Sequence, residues 1–134
     1  MSVRYILFVC TENSARSQMA EGFFNFYNKN PEYRGISAGT KPAESIKPLA
    51  VQVMKEKGID ISNQKPKKLT FQMVEKAERI YTMGCTEGCV AVSPERTVEW
   101  KLEDPAGKPI EKFREVRDEV ERRVKKLIEE LGAE

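Results

Sequence analysis

The chain has 134 residues with 23 basic and 21 acidic side chains, a net charge of +2, too even a balance to point to nucleic acid or an acidic membrane as a partner. It contains three cysteines and no histidine, which excludes Cys-His and Ser-His pairs and His-containing zinc sites and leaves proton transfer to carboxylates, Lys, Tyr or water. No apolar run approaches the ~20 residues that span a bilayer, and the N-terminus lacks the pattern of a secretion signal. These features predict a single cytoplasmic domain over residues 1–134, long enough to bury a core of its own.

In chain order, Tyr5 to Val9 is apolar without alternation, which suits a strand buried on both faces. From about Ser17 the period changes. Met19, Ala20, Phe23, Phe24 and Tyr27 fall at helical spacings and give one apolar stripe. A second strand is expected at Tyr33 to Ala38, ended by Gly39. A helix opens on Pro48, runs through Leu49, Ala50, Val53 and Met54, and stops at Gly58. A third strand reads at Ala77 to Met83 and a short one at Thr97 to Lys101. The last helix spans Ile110 to Leu131, with Phe113, Val116, Val120, Val124, Leu127 and Leu131 at helical spacing and Gly132 as its stop. Fourteen of the twenty residues from Glu111 to Glu130 are charged, which reads as a solvated helix face. Strands alternating with helices predict an α/β fold with right-handed crossovers and a parallel sheet.

The segment Cys10-Thr11-Glu12-Asn13-Ser14-Ala15-Arg16-Ser17 joins the first strand to the first helix. Ligands of parallel sheets sit at the carboxyl ends of strands, and helix N-termini favour anions through unpaired N–H groups and the helix dipole. A cysteine there, with an arginine six positions on, is placed to be a thiolate nucleophile beneath an oxyanion. Ser17 is positioned to donate a hydrogen bond to its sulfur. The alternative is a small buried thiol at a strand end.

Cys85 and Cys89 follow the third predicted strand and so fall at the same sheet edge as Cys10. A zinc site made by the three thiols and a carboxylate, and a coincidental pair of structural thiols, are both open readings. The preferred one is a redox relay. In a helical segment a four-residue separation puts the Cα atoms about 6 Å apart, within reach of a disulfide. Asp104, in the loop Leu102-Glu103-Asp104-Pro105-Ala106-Gly107 after the last strand, is the candidate general acid, because a thiolate attacking an oxyanion centre must expel a poor leaving group. Glu103 is the next candidate, and Asp-Pro is also an ordinary turn opener.

Taken together, the Cys10–Gly22 segment, Ser37-Ala38-Gly39, Gly58–Gln64, the Cys85/Cys89 pair and Glu103-Asp104-Pro105-Ala106-Gly107 resemble the thioredoxin-coupled arsenate reductases of the low-molecular-weight protein tyrosine phosphatase superfamily. The resemblance implies a single three-layer domain, a four-stranded parallel sheet of order 2-1-3-4 with helices on both faces. It also implies that Thr11, Glu12, Asn13, Ser14, Ala15, Arg16 and Ser17 cradle arsenate, that Cys10 attacks it, and that Asp104 protonates the departing oxygen. Cys85 would then attack Cys10 and release arsenite, and Cys89 would attack Cys85, leaving a disulfide for thioredoxin to reduce. No bound cofactor or metal is implied. Asn13 would hold the loop in shape, since Asn tolerates left-handed backbone.

Three departures from the family pattern stand out. Glu12 occupies a usual Gly position and is expected to point to solvent, and the Cys85–Cys89 spacing is short. Lys67 stands where relatives that bind potassium near Asn13, Glu21 and Ser37 carry an acid, so its ammonium would replace the ion. The competing functions are a phosphotyrosine phosphatase using Cys10, Arg16 and Asp104, and a non-catalytic thiol-based binder of metals or arsenite. Against the phosphatase, Ala106-Gly107 follow the Asp-Pro pair where phosphatases of the superfamily carry aromatics. The physiological reductant and the oligomeric state are not encoded in any motif.

Overall fold

The structure, a computed structural model, describes residues 3–84 and 94–133. Four strands, β1 (Arg4–Cys10), β2 (Tyr33–Gly39), β3 (Ala77–Thr82) and β4 (Thr97–Glu99), form one sheet of order β2-β1-β3-β4. Every pairing is parallel. The expected topology is therefore observed. The helices are α1 (Arg16–Tyr27), α2 (Pro48–Lys55), α3 (Phe71–Lys76) and α4 (Ile110–Leu131).

The unbroken apolar run of β1 is explained by the two faces it serves. Ile6, Phe8 and Cys10 pack into a cluster with Met19, Phe23 and Phe24 of α1, Val53 and Met54 of α2 and Phe113 to Ile128 of α4. Leu7 and Val9 point the other way, against Val74 of α3 with Ala77 and Ile80. Each large apolar side chain buried in these layers contributes about 1.5–3 kcal/mol. Phe8 lies at the centre of an aromatic group, its ring 6.1 Å from Phe24, 5.9 Å from Tyr81 and 5.9 Å from Trp100.

Boundaries differ from the expectation where hydrogen bonding stops short of the apolar pattern. β4 ends at Glu99, although the Trp100 N–H still donates to the Thr82 carbonyl at 2.8 Å, and the Met83 N–H likewise extends the β1–β3 pairing to the Val9 carbonyl at 2.8 Å. Helix α3 was not foreseen. It is capped by the Thr70 hydroxyl, which accepts from the Met73 N–H at 3.2 Å. Gly132, at φ 68°, closes α4 as its position suggests. Among the described residues no helix is long and apolar enough to cross a membrane.

Candidate active site

At the carboxyl end of β1 the chain turns through residues 11–15 and enters α1. The carbonyls of this loop are all engaged on its outside. Those of Thr11, Glu12 and Ser14 accept from the N–H groups of Lys41 (2.8 Å), Ala43 (3.0 Å) and Lys47 (2.9 Å), and that of Asn13 from the Gln18 side chain (3.1 Å). Carbonyl and N–H of one trans peptide unit point in opposite directions. The N–H groups of Glu12, Asn13, Ser14 and Ala15 therefore turn inward, and the Asn13 N–H donates to Cys10 Sγ at 3.2 Å. This is a ring of donors around a sulfur.

Asn13 holds the ring. Its φ of 52° puts it in the left-handed region, as its residue type allows. Its side-chain Nδ2 donates to Ser17 Oγ at 2.7 Å, and its Oδ1 accepts from Gln18 Nε2 at 2.9 Å and the Lys67 N–H at 2.9 Å. Ser17 Oγ lies 2.8 Å from Cys10 Sγ. Since that oxygen already accepts from Asn13, its proton is free to point at the sulfur. Gln64 donates to Gln18 Oε1 at 2.7 Å, so a loop some 50 residues downstream braces the cradle. Lys67 Nζ is 3.6 Å from Glu21 Oε1, which also accepts from the Ser37 hydroxyl at 2.6 Å. An ammonium thus stands beside the carboxylate where the family resemblance suggested one.

A cavity of about 300 Å³ opens above the sulfur, lined by Cys10, Thr11, Glu12, Ser14, Ala15, Arg16, Gly84 and Asp104. Asn13 and Ser17, grouped with the cradle from the sequence, lie fully buried behind its wall. Arg16 is only 7% exposed. Its Nη1 donates to the Leu102 carbonyl at 3.1 Å and its Nη2 is 3.6 Å from Asp104 Oδ2. The guanidinium is thereby fixed at the cavity with donors left for an anion. Glu12 is exposed, accepts from the Ser14 hydroxyl at 3.4 Å and lies 3.7 Å from Lys47 Nζ, so its charge is partly offset at the rim.

A family model described as low molecular weight phosphotyrosine protein phosphatase matches residues 5–134. The chain belongs to this family. An arsenate reductase from Brevibacillus brevis is 41% identical over 128 residues, covering 92% of this chain and 93% of the relative. Among solved structures, an arginine phosphatase from Geobacillus stearothermophilus has a TM-score of 0.84 at 32% identity, covering 96% of this chain and 93% of that one. A thioredoxin-dependent arsenate reductase from Corynebacterium glutamicum has a TM-score of 0.82 at 30% identity, covering 98% of this chain and 63% of that one.

Within this low molecular weight phosphatase fold, geometry separates the two acid candidates. Asp104 faces the cavity, with its Oδ1 accepting from the Ala106 N–H at 3.0 Å. Glu103 is instead bound by Lys108 and Lys112, whose ammonium groups hold its carboxyl below the usual range. Cys85 and Cys89 lie outside the described residues. The sequence analysis assigned no role at the cradle to Gln18, Gln64, Gly84, the Leu102 carbonyl or the 41–47 segment. None carries reactive chemistry in its own side chain, and most reach the site across long stretches of chain.

Proposed function

We propose that this low molecular weight phosphatase-family protein reduces arsenate to arsenite. The observation that carries the reading is the cavity itself. It pairs a nucleophilic sulfur and a fixed guanidinium with an acid, has no aromatic side chain in its lining among the described residues, and is walled by Gly84, the residue directly before Cys85 in the sequence. A cup of this kind suits a small tetrahedral oxyanion rather than a phenyl ester. The names of the B. brevis and C. glutamicum relatives point the same way.

In the proposed mechanism the inward N–H groups and Arg16 bind arsenate, and Cys10 Sγ forms a bond to arsenic. Asp104 gives its proton to the leaving oxygen, which departs as water. Cys85 then attacks Cys10. The S–S bond forms, the S–As bond breaks, and its electron pair stays on arsenic, which leaves as As(III) arsenite. Cys89 attacks Cys85, freeing Cys10 and moving the disulfide to Cys85–Cys89. An external dithiol, for which thioredoxin in the cytoplasm is the proposed source, returns two electrons and two protons. The net reaction consumes one arsenate and one dithiol and yields arsenite, water and one disulfide.

A second reading, hydrolysis of phosphomonoesters through a Cys10 phosphocysteine, is favoured by the arginine phosphatase likeness and by the near-isostery of phosphate and arsenate. It gives Cys85 and Cys89 no work. NADPH oxidation with thioredoxin, thioredoxin reductase and arsenate decides between them. Arsenate-dependent turnover that disappears in Cys10→Ser, Cys85→Ser and Cys89→Ser alike supports the relay. Absence of turnover in the wild type, with hydrolysis of aryl phosphates instead, would establish the phosphatase.

A further inference from the structure

Gly84 has a role that no motif announces. Its backbone is left-handed, φ 71°, and a Cβ built there would lie 2.0 Å from Arg16 Nη1, 3.1 Å from Cζ and 3.5 Å from Nη2. Real Cβ contacts are not found below 3.0 Å. Something must therefore move when residue 84 gains a side chain, and the neighbour in question is the guanidinium. Arg16 is buried, and the same Nη1 donates to the Leu102 carbonyl while Nη2 lies 3.6 Å from Asp104, so a shift of the guanidinium disturbs those contacts and its aim into the cup.

We propose that Gly84 is a positioning residue for oxyanion binding. The space left by its missing side chain is the seat in which the Arg16 guanidinium lies against the end of β3. Glycine is required there on two independent counts, the positive φ and the occupied volume. The volume ties residue 84 to substrate affinity, whereas φ ties it only to stability. The inference rests on the oxyanion-cup reading above but not on the disulfide relay.

The two counts can be separated because Asn accepts positive φ far better than Ala yet also carries a Cβ. The test measures inorganic phosphate binding by the full-length protein, through competition with arsenate or an aryl phosphate, in Gly84→Ala and Gly84→Asn. Both are expected to bind phosphate about tenfold more weakly than wild type, because a charge-assisted contact is lost or misaimed. Gly84→Asn should lose less melting temperature than Gly84→Ala while binding phosphate no better. Wild-type affinity in the Asn variant would overturn the proposal by assigning the whole effect to backbone strain. An Arg16→Lys background supplies the second check. There the Gly84→Ala penalty on phosphate binding should nearly vanish, since the two sites act through one group; an equal penalty in both backgrounds overturns the seat. No phosphate binding by the wild type would overturn the cup and the seat together, while loss of arsenate turnover with phosphate binding intact leaves the seat standing and removes only the relay.

Discussion

At the scale of single residues the site depends on a few buried polar side chains with several partners each. Asn13 satisfies Ser17, Gln18 and the Lys67 N–H at once. Asn13→Ala removes these three hydrogen bonds, takes the acceptor from the Lys67 N–H and asks Ala to adopt a left-handed backbone, so a loss of about 1–3 kcal/mol is expected, read from urea unfolding. Turnover should fall with it, because Ser17 Oγ is then free to turn away from Cys10. Lys67 makes a different prediction. Its ammonium lies 3.6 Å from Glu21; if it stands in for a monovalent cation, exchanging sodium for potassium should alter neither melting temperature nor turnover. A potassium-dependent rise in either would contradict that assignment. Cys10, Arg16 and Asp104 could be singled out from the sequence because each carries its chemistry in its side chain and falls, respectively, at the end of β1, at the start of α1 and in the loop after β4. Gln18, Gln64 and Gly84 could not, since an amide or a glycine acquires meaning only from what lies against it.

At the scale of elements, helices are joined by ion pairs that tighten as carboxylates ionise. Glu56, just after α2, is gripped by Arg114 and Arg117 of α4, and these hold its carboxyl at about 2 against an ordinary 4.5. Within α4, Arg122 and Arg123 hold Glu119 at about 2 in the same way. Because these folded-state values are depressed, the unfolded chain takes up protons first as pH drops. Their contribution is complete above about pH 4.5 and is lost as pH falls toward 2. The urea midpoint should decline across that window, and Glu56→Gln should make the decline shallower. An unchanged slope in the variant would remove Glu56 from the account. Burial, helped by a 2.6 Å hydrogen bond to Glu121, pushes the Tyr27 hydroxyl up to about 12, so this link between α1 and α4 stays intact through neutral pH. Packing between elements is equally close at Gly22 of α1, where a Cβ would meet Ile61 at 2.7 Å and Met54 at 3.2 Å. Gly22→Ala should cost about 1–3 kcal/mol by overpacking, measured by the same unfolding. The long elements were legible because period and burial agree over many residues. The six residues of α3 offer less than two turns, too few to show a period.

At the scale of the molecule, the sheet order brings the end of β1, the end of β3 and the loop after β4 to one edge. That places Cys10, Gly84 and Asp104 around one cavity although they are far apart in the chain. The parallel order follows from alternating strands and helices, while the bracing of the cradle by the 41–47 and 64–67 segments arises only on folding. We propose that the sulfur beneath the cradle both attacks an oxyanion and is rescued by a second thiol. It is tested most directly by a single turnover of reduced Cys89→Ser with arsenate, followed by mass spectrometry of the unreduced peptides. One arsenite released per chain and a Cys10–Cys85 disulfide are expected. Arsenate left unreduced with all remaining thiols free would contradict the relay.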